Sequence, residues 1–407
     1  MEASVINKIL GIKEAYKMSD VLLTKLLDEK QRNKLFDEFM NIGESLDHDW
    51  FVDYFQEEHG DRKNLKQDFT PDSVCTISNG MLKKGNTLLD MCSGTGALTL
   101  KNWQKENREE YKLIEFSERT VPTLLFNLAI RNIDATVYNG DALTREVFKA
   151  YKLTSSERYS AIELIETDME FKVDDVITNP PYSLKWDYEE FTKDEARFKE
   201  YGLPPKTKSD YAFILDGLSR LKENGVVVAI VPHGVLFRGS AEGKIRQKLI
   251  EDNLIDTIVG LPEKLFMNTG IAVCIVKLQK NRESKDIYFV DASKEFIKQN
   301  KLNYMTDKHI ETVLGALNLR RDIDKLSHLA SFEEVKENGF NLNISRYVDT
   351  FEPPKPIDII AVTNEIKETC KEIKETDKQI LKSMDDLLGD EEFCQARELW
   401  RSLVGEQ

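Results

Sequence analysis

The apolar residues of this chain follow two different spacings, and the change between them divides the sequence. From Ala3 to Ile12 and from Asp20 to Met40, apolar residues recur at the spacing of helices that bury one face. The polar stretch His59–Asn64 interrupts this pattern. We therefore predict a short N-terminal helical region over residues 1–65 and a second domain over residues 66–350.

From about residue 68, short apolar runs alternate with helical segments. This alternation is typical of βαβ units, so we predict an α/β domain with a mostly parallel sheet. The short polar turn Lys280–Lys285 predicts that the last two runs form an antiparallel hairpin on that sheet. The predicted strands are Thr87–Met91, Lys112–Phe116, Ala135–Tyr138, Asp175–Thr178, Gly225–Pro232, Leu254–Leu261, Ile271–Leu278 and Asp286–Asp291.

The last part of the chain, residues 351–407, has a third pattern. After the proline-rich stretch Pro353–Pro356, apolar residues recur every seven positions, which predicts a coiled-coil-type helix that Gly389 ends. We interpret this part as a hinge followed by a partner-binding helix; a helix packed on its own domain is the alternative. The heptad residues are Ile359, Ile366, Ile373, Ile380 and Leu387.

Composition excludes several classes of protein. Among 407 residues, 57 Lys and Arg face 72 Asp and Glu, a formal charge of -15. This balance argues against a surface that binds nucleic acid all over, but it leaves room for a local basic groove or a partner that supplies the DNA contacts. No apolar run is long enough to span a membrane, and the first residues lack the order of a signal peptide.

The cysteines and histidines bear on location and metal binding. Five cysteines without a CxxC pair indicate a reduced, cytoplasmic chain. The five histidines have no metal-ligand spacing, so we expect no metal site.

The segment Leu88–Ala97 is an apolar strand that runs into a glycine-rich turn and then a helix. Gly94 and Gly96 allow the backbone to approach a ligand closely. The pattern is DxCxGxG rather than GxGxxG and lacks a full diphosphate cradle. It therefore favours an adenosine ligand without phosphates, such as S-adenosyl-L-methionine, over NAD. A purely structural turn is the alternative for this motif alone. The candidate cofactor residues of the turn are Asp90, Cys92, Ser93, Gly94 and Gly96.

Carboxylates end the next two predicted strands. Glu115 can accept hydrogen bonds from both hydroxyls of a ribose. Asp141 ends the third strand, where it can meet an adenine amino group. Three acidic or glycine-rich strand ends in series make a purely structural role less favoured than a cofactor site.

The most specific motif is Asn179–Tyr182, Asn-Pro-Pro-Tyr, directly after a predicted strand. The Asn179 side-chain oxygen and the Pro180 carbonyl can both accept hydrogen bonds from one amino group, which directs its lone pair at a methylsulfonium. Pro180 and Pro181 stiffen the loop, and Tyr182 offers a ring for stacking on a planar substrate. No general base is required. A tight turn without a catalytic role is the alternative.

These motifs resemble the amino-methylating, S-adenosylmethionine-dependent DNA methyltransferases, and most closely the modification subunit of type I restriction–modification systems. The resemblance covers about residues 66–350 and implies a Rossmann-like class I methyltransferase sheet. It also implies that Phe69 and Thr70 hold the methionine end of the cofactor, and that Phe266 stacks with Tyr182 on a flipped base. Further matches are Tyr201–Pro205, Asp210–Phe213, Pro232–Arg238, Leu265–Ile271 and Asn341–Val348.

The chain departs from that family in two places. Met91 replaces the usual proline, and only about 68 residues precede Phe69, where the family has a longer helical domain.

The resemblance implies N6-methylation of a flipped adenine in DNA by one subunit of a restriction–modification complex. The implied partners are DNA, a specificity subunit bound through the C-terminal helix, and a restriction subunit. A stand-alone DNA methyltransferase, an RNA or protein-glutamine methyltransferase, and a non-enzymatic scaffold are the alternatives.

The long segment 183–210 is placed to cover the site. Its basic residues are candidates for phosphate contacts, with a solvated loop as the alternative. They are Lys185, Lys193, Arg197, Lys199, Lys206 and Lys208.

Overall fold

The computed structural model describes residues 3–42, 45–52, 54, 69–106, 108–266, 270–351 and 357–404. The chain divides into two compact units, Met1–Thr350 and Phe351–Gln407. The expected boundary stretches His59–Asn64 and Pro353–Pro356 lie outside the described residues, and so do Met267–Thr269 of one matching segment.

Eleven of the strands in the described ranges form one sheet, and two more form a separate hairpin. Each strand predicted from the sequence is present, with its ends shifted by a few residues. The pattern does not predict β4, β5, β11, β12 or β13. The strands are β1 (Thr87–Met91), β2 (Glu110–Glu115), β3 (Ala135–Gly140), β4 (Val147–Thr154), β5 (Ala161–Ile165), β6 (Val173–Thr178), β7 (Leu221–Pro232), β8 (Ile255–Gly260), β9 (Val273–Gln279), β10 (Ile287–Asp291), β11 (Ile297–Gln299), β12 (Leu302–Tyr304) and β13 (Ser327–Ala330).

Helices cover the sheet and form the N-terminal part of the first unit. Short 3-10 turns lie at Ala15–Lys17, Glu190–Asp194, His233–Leu236 and Ile344–Arg346. The α-helices are α1 (Ala3–Leu10), α2 (Met18–Leu27), α3 (Glu29–Met40), α4 (Asp72–Gly80), α5 (Ala97–Lys105), α6 (Val121–Ile130), α7 (Ala196–Lys199), α8 (Asp210–Arg220), α9 (Ser240–Glu251), α10 (Asp307–Leu319), α11 (Phe332–Glu337), α12 (Ile359–Asp385) and α13 (Glu391–Val404).

The strand order is β13-β10-β8-β9-β7-β6-β1-β2-β3-β4-β5. The central strands β7, β6, β1, β2 and β3 run parallel, which confirms the predicted α/β class with its parallel centre. The carboxyl ends of β1, β2, β3 and β6 therefore lie along one edge of the sheet. Ligands of open α/β sheets bind at this edge.

The predicted pairing of the last two runs is wrong. β9 pairs antiparallel with β7 on one side and with β8 on the other, so both of its edges are hydrogen-bonded. β10 instead joins the free edge of β8 and runs parallel to it. The antiparallel pairs at this side of the sheet are therefore β7 with β9, β8 with β9 and β10 with β13, and the turn Lys280–Lys285 passes the end of β8.

The N-terminal helices share a hydrophobic core with the sheet domain. Phe36 of α3 packs edge-on against Phe126 of α6, with ring centroids 5.2 Å apart. The Ser19 hydroxyl of α2 donates a hydrogen bond to the Arg119 carbonyl at 2.8 Å. Aromatic packing of this kind adds to the free energy gained by burying the rings themselves.

The second unit contains the predicted coiled-coil-type helix, α12, and a further helix, α13, that the heptad pattern does not predict. α12 ends at Asp385, so the last heptad residue, Leu387, lies beyond it. An ion pair at 2.6 Å joins Arg401 of α13 to Asp385. Two heptad residues, Ile366 and Ile373, are 57% and 54% exposed. None of the helices described has the length and apolarity that crossing a membrane requires.

Candidate active site

A cavity of about 540 Å³ opens at the carboxyl edge of the central strands. It collects residues that are distant in sequence, because parallel strands end at the same edge. The predicted residues that line it are Phe69, Thr70, Cys92, Ser93, Gly94, Glu115, Asp141, Asn179, Pro180, Pro181 and Tyr182. Asp90, Gly96 and Phe266 are not in its lining; they lie behind it or beside it.

The glycine-rich turn after β1 needs its two glycines for different reasons. Gly94 has a φ of +56°, and a Cβ built on it would meet nothing within 4 Å, so it leaves room at the cavity wall. Gly96 has a φ of +96° and precedes α5; a Cβ there would lie 2.9 Å from the Leu124 side chain. The first glycine therefore keeps space free for a ligand, and the second allows close packing of helices.

Glu115, the last residue of β2, is fixed by two backbone amides. The Gly94 N–H donates to its Oε2 at 2.8 Å, and the Ser117 N–H donates to its Oε1 at 2.8 Å. Burial nevertheless raises the pKa of Glu115 to about 7. The carboxyl group is thus rigidly oriented at the cavity wall, and its charge depends on pH near neutrality.

Asp90 lies behind the turn rather than in the cavity. Its Oδ2 accepts a hydrogen bond from the Thr99 hydroxyl of α5 at 2.7 Å. Its buried Oδ1 has no hydrogen-bond partner among the described residues. Burial raises the pKa of Asp90 to about 7. An unsatisfied buried oxygen is costly in free energy, so this carboxyl group is a costly part of the support of the turn.

Asp141, directly after β3, organises the far wall of the cavity. Its Oδ1 accepts hydrogen bonds from the Leu143 N–H at 2.7 Å and the Thr144 N–H at 3.3 Å. All three of these residues line the cavity. This loop therefore has a defined shape before any ligand binds.

The Asn-Pro-Pro-Tyr loop follows β6, and hydrogen bonds orient its asparagine. The Asn179 Nδ2 donates to the Thr70 hydroxyl at 2.9 Å, and the Tyr182 hydroxyl donates to the Asn179 Oδ1 at 2.8 Å. Thr70 thereby fixes which way the amide points. Because an amide oxygen has two lone pairs, Oδ1 can accept a second hydrogen bond.

Phe266, after β8, packs against Tyr182 of the Asn-Pro-Pro-Tyr loop. The rings of Tyr182 and Phe266 meet edge-on, with centroids 6.0 Å apart and planes at 83°. Phe266 is 2% exposed, whereas Tyr182 lines the cavity. The two aromatic residues named from the resemblance are thus in contact beside Asn179.

A buried carboxylate supports the loop from below. The Ser183 N–H, next to Tyr182, donates to the Asp210 Oδ1 at 2.8 Å. Ser183 has a φ of +49°, a backbone conformation that non-glycine residues rarely adopt. Arg238 pairs with the other oxygen of Asp210 at 2.5 Å and with Glu242 at 2.7 Å. This network accounts for two of the matching segments, those that contain Asp210 and Arg238.

The segment after the Asn-Pro-Pro-Tyr loop lines the cavity through Leu184–Asp187. Two of the basic residues predicted to contact phosphates have other partners. Arg197 is 6% exposed and donates to the Leu143 carbonyl and, at 2.8 Å, to the Asp216 Oδ1. Lys206 pairs with Asp187. Arg197 therefore ties this segment to the Asp141 loop, and the prediction that it contacts phosphate is wrong.

Three aromatic residues that line the cavity, Phe116, Trp186 and Phe213, are not among the predicted site residues. Phe116 lines it directly after Glu115 and is 51% exposed. An aromatic at the exposed end of a buried strand is a signal that could have identified it. Trp186 lines the cavity from the covering segment, and its indole N–H donates to the Pro205 carbonyl at 3.1 Å. Nothing in the sequence around Trp186 distinguishes it from a core residue.

Within the part of the chain that the structure describes, no cluster of His, Cys, Asp or Glu side chains has the arrangement of a metal site. The Cys92 thiol lines the cavity, and burial raises its pKa well above its usual value, so it stays protonated. A protonated thiol is a poor nucleophile. The groups that line the cavity can form hydrogen bonds, orient a ligand and stack on a planar ring.

Comparison with known proteins identifies relatives over most of the chain. A family model described as N-6 DNA Methylase matches residues 47–355. The chain is 28% identical over 353 residues to the type I restriction enzyme MpnII methylase subunit of Mycoplasma pneumoniae, covering 85% of this chain and 63% of that protein. It is also 28% identical over 339 residues to the type I restriction enzyme MjaVIII methylase subunit of Methanocaldococcus jannaschii, covering 79% of this chain and 56% of that protein.

A solved structure is also similar to this chain. The methyltransferase subunit of a type I restriction–modification system from Streptococcus thermophilus is 35% identical, with a TM-score of 0.63, over 82% of this chain and 67% of that one. The chain spans about three fifths of the length of the first curated relatives it matches.

Proposed function

Because the chain belongs to the N-6 DNA methylase family, we propose that it transfers a methyl group from S-adenosylmethionine to the N6 amino group of a flipped adenine in DNA. The family match agrees with the resemblance that the sequence motifs indicate. The observation that carries the proposal is the Asn179 amide, which Thr70 and Tyr182 orient in the wall of a cavity that Glu115 and Tyr182 also line.

The cavity suits an S-adenosylmethionine molecule. Gly94 leaves space where a side chain would intrude. Glu115 would accept hydrogen bonds from the ribose, Asp141 would face the adenine, and Phe69 and Thr70 would lie at the methionine end. The cofactor, when bound, supplies an electrophilic methyl group on a sulfonium.

The residues of the loop would prepare the amino group for attack. The Asn179 Oδ1 and the Pro180 carbonyl would accept hydrogen bonds from the two N–H groups of the adenine, so that the nitrogen lone pair no longer conjugates with the ring. The hydrogen bond from the Tyr182 hydroxyl to the Asn179 Oδ1 would either remain beside the new one or break. The methylated amino nitrogen loses its extra proton to water after the methyl group is transferred. The residues of the loop therefore act by orientation and electrostatics.

The aromatic residues would hold the target base. An adenine inside a duplex hides its amino group, so the base has to leave the stack. The Tyr182 ring would stack on the extruded base, and Phe266, packed edge-on behind it, would keep that ring in place. This arrangement repays part of the free energy lost on unstacking.

The titration of Glu115 gives a test of the cofactor site. Only the ionised carboxylate accepts two hydrogen bonds freely, so we expect affinity for S-adenosylmethionine to rise about tenfold from pH 6 to pH 8, through the pKa of about 7. Calorimetric titration of the protein would measure this rise. Glu115→Gln should bind more weakly with a flatter pH profile; an unchanged profile would remove Glu115 from the site.

The same groups affect folding stability with a defined sign. Carboxyl groups whose pKa is raised on folding contribute stability below their unfolded pKa and lose it as the pH rises toward the folded value. Because of Asp90 and Glu115, the free energy of unfolding should therefore fall as the pH rises from about 4 to about 7.

Substrate class is tested by supplying duplex DNA, RNA and protein with radiolabelled S-adenosylmethionine. We expect label only in DNA, on N6 of adenine. Label in RNA or protein alone would contradict the proposal and favour another amino-methylating enzyme; cofactor binding without transfer to any of them would favour a scaffold.

We further propose that the heptad face of α12 binds the specificity subunit of a type I complex, which reads the DNA sequence. Ile366 and Ile373 share this face and are exposed within their unit. Apolar residues at heptad positions can pack between the side chains of a partner helix. The acidic chain as a whole gives little general attraction for DNA, so a second subunit would supply much of the phosphate contact.

The double variant Ile366→Ser/Ile373→Ser should lower affinity for the specificity subunit by about tenfold or more, because two apolar knobs are lost. Co-purification and titration calorimetry would measure this. The matched control is Lys367→Ser/Lys374→Ser, one residue further along the same helix; both lysines are exposed. If both pairs weaken binding equally, the apolar face is not the interface.

A further inference from the structure

The β11–β12 hairpin lies beside the target side of the site for a topological reason. β8 and β10 are parallel neighbours, and Gly260 at the end of β8 pairs with Asp291 at the end of β10. The segment after β8 carries Phe266, and the segment after β10 carries the hairpin. Both segments therefore leave the sheet at the edge where the Tyr182–Phe266 pair lies.

Hydrogen bonds tie the hairpin to the turn that leads to Phe266. The Asn303 N–H donates to the Lys264 carbonyl at 3.0 Å, and the Asn303 side-chain amide donates to the Glu263 carbonyl at 2.7 Å. Two-stranded hairpins have little stability on their own. These contacts fix this one to the rim next to the aromatic pair.

The hairpin is basic in a chain that is acidic. From Phe296 to Thr306 it contains two lysines, Lys298 and Lys301, and no Asp or Glu. Lys264 lies in the adjoining turn, and all three lysines are exposed. None of these three forms an ion pair with another described residue.

The position of each group on the hairpin is defined by its register. Lys298 pairs across the strands with Asn303, so it lies on the same face as the Asn303 side chain, which donates to the Glu263 carbonyl. Lys301 is in the connecting turn, where Asn300 has a φ of +57°. Ile297 and Tyr304 form the pair on the opposite face and are about half exposed, at 49% and 51%. The hairpin thus carries two exposed lysines and, on its other face, the half-exposed Tyr304, and it is held to the turn that leads to Phe266.

We propose that the β11–β12 hairpin binds the phosphate backbone of the DNA duplex next to the flipped adenine, through Lys264, Lys298 and Lys301. This inference rests on the proposed DNA substrate and adds the surface that holds it. Lysines on a rigid rim neutralise phosphates and release their counterions, which gives affinity without sequence preference. Three lysines on one surface thereby give local attraction for phosphates in a chain whose net charge is -15.

The test compares Lys298→Glu/Lys301→Glu with Lys84→Glu/Lys285→Glu in the full chain. Lys84 and Lys285 are exposed and precede β1 and β10, at the opposite edge of the sheet, so the control carries the same change in charge. Fluorescence anisotropy with a labelled mixed-sequence duplex would give the Kd at several salt concentrations. Calorimetry would give the affinity for S-adenosylmethionine.

We expect the hairpin variant to bind DNA on the order of tenfold more weakly, and its dependence of log affinity on log salt to become shallower by about two. The control should stay within about twofold of the unmodified protein, and cofactor affinity should be unchanged in both. Lys298→Arg/Lys301→Arg should restore binding, because arginine keeps the charge. Lys298→Gln/Lys301→Gln covers the case in which charge reversal disturbs the hairpin.

The outcomes separate this proposal from the proposed function. If the unmodified protein methylates DNA and the hairpin variant keeps its DNA affinity and KM, the hairpin proposal is wrong and the function stands. Equal loss in hairpin and control variants would show a general charge effect and overturn the hairpin as the surface. If the unmodified protein methylates only RNA or protein, the proposed function itself fails.

Discussion

Asn179→Ala should lower the rate of methyl transfer by about 10²- to 10³-fold, the usual cost of removing one preorganised polar contact to the reacting group. Alanine removes the Oδ1 acceptor proposed for the adenine amino group. It also leaves the Thr70 and Tyr182 hydroxyls without the hydrogen bonds that they share with this amide. The effect should appear in kcat, because the interaction strengthens as the amino nitrogen becomes tetrahedral.

Two measurements distinguish a loss of methyl transfer in Asn179→Ala from a loss of cofactor binding. Affinity for S-adenosylmethionine should fall much less than the rate, since many other residues line the cavity. Tyr182→Phe is the matched variant: it removes the hydroxyl that donates to the Asn179 Oδ1 at 2.8 Å but keeps the ring. We expect it to retain at least about a tenth of the activity, because stacking survives. If Asn179→Ala methylates DNA at the normal rate, the assignment of the site is wrong.

Asp216→Ala should lower the free energy of unfolding by about 3–5 kcal/mol, because it leaves buried guanidinium groups without their counter-charge. Asp216 is fully buried and accepts from Arg145 at 2.9 Å, Arg197 at 2.8 Å and Arg220 at 2.6 Å. Burial alone would raise the pKa of Asp216, but Arg220, Arg145 and Arg197 hold it below its usual value. Urea denaturation at neutral pH would measure the change.

A surface pair provides the control for that experiment. Lys149 and Glu118 are 2.5 Å apart with side chains 45% and 69% exposed, and Glu118→Ala should cost no more than about 1 kcal/mol. Because the pKa of Asp216 is lowered in the folded protein, its contribution is present above the unfolded pKa and is lost as the pH falls through the folded value. Equal denaturation midpoints for the two variants would show that the buried cluster adds no net stability.

The same cluster connects stability to the site. Arg197 holds the Leu143 carbonyl, and Arg145 follows the Asp141 loop, so Asp216 anchors the far wall of the cavity as well as the covering segment. Asp216→Asn, which keeps the shape and one acceptor, should therefore raise the KM for S-adenosylmethionine more than it lowers kcat.

Some features of the fold follow directly from local sequence. Strand β1 matches the predicted run Thr87–Met91. A short, mostly apolar run followed by a glycine-rich turn is a strong local signal for a buried strand. The helix α12 follows from its heptad of isoleucines. Strands that alternate with helices imply a parallel sheet, in which the carboxyl ends of the strands share one edge. The sequence therefore already predicts that Glu115, Asp141 and Asn179 lie at one edge.

Other features depend on pairing that a linear pattern does not encode. The run at β10 fits a hairpin with β9 equally well by local sequence; it pairs with β8 because both edges of β9 are already hydrogen-bonded. The charge of Arg197 suggests an exposed contact, but three-dimensional packing buries it between Asp216 and Leu143.

By itself, the sequence determined which groups are available for the proposed chemistry: the Asn-Pro-Pro-Tyr loop, the glycine-rich turn and the acidic strand ends, each of which is a short local motif. Only the tertiary structure decided how that chemistry is oriented. Thr70 lies 109 residues before Asn179, yet their hydrogen bond sets the direction of the amide. Contacts between such distant residues depend on the strand order and on the crossovers, and these are settled by the free energy of the whole packed sheet.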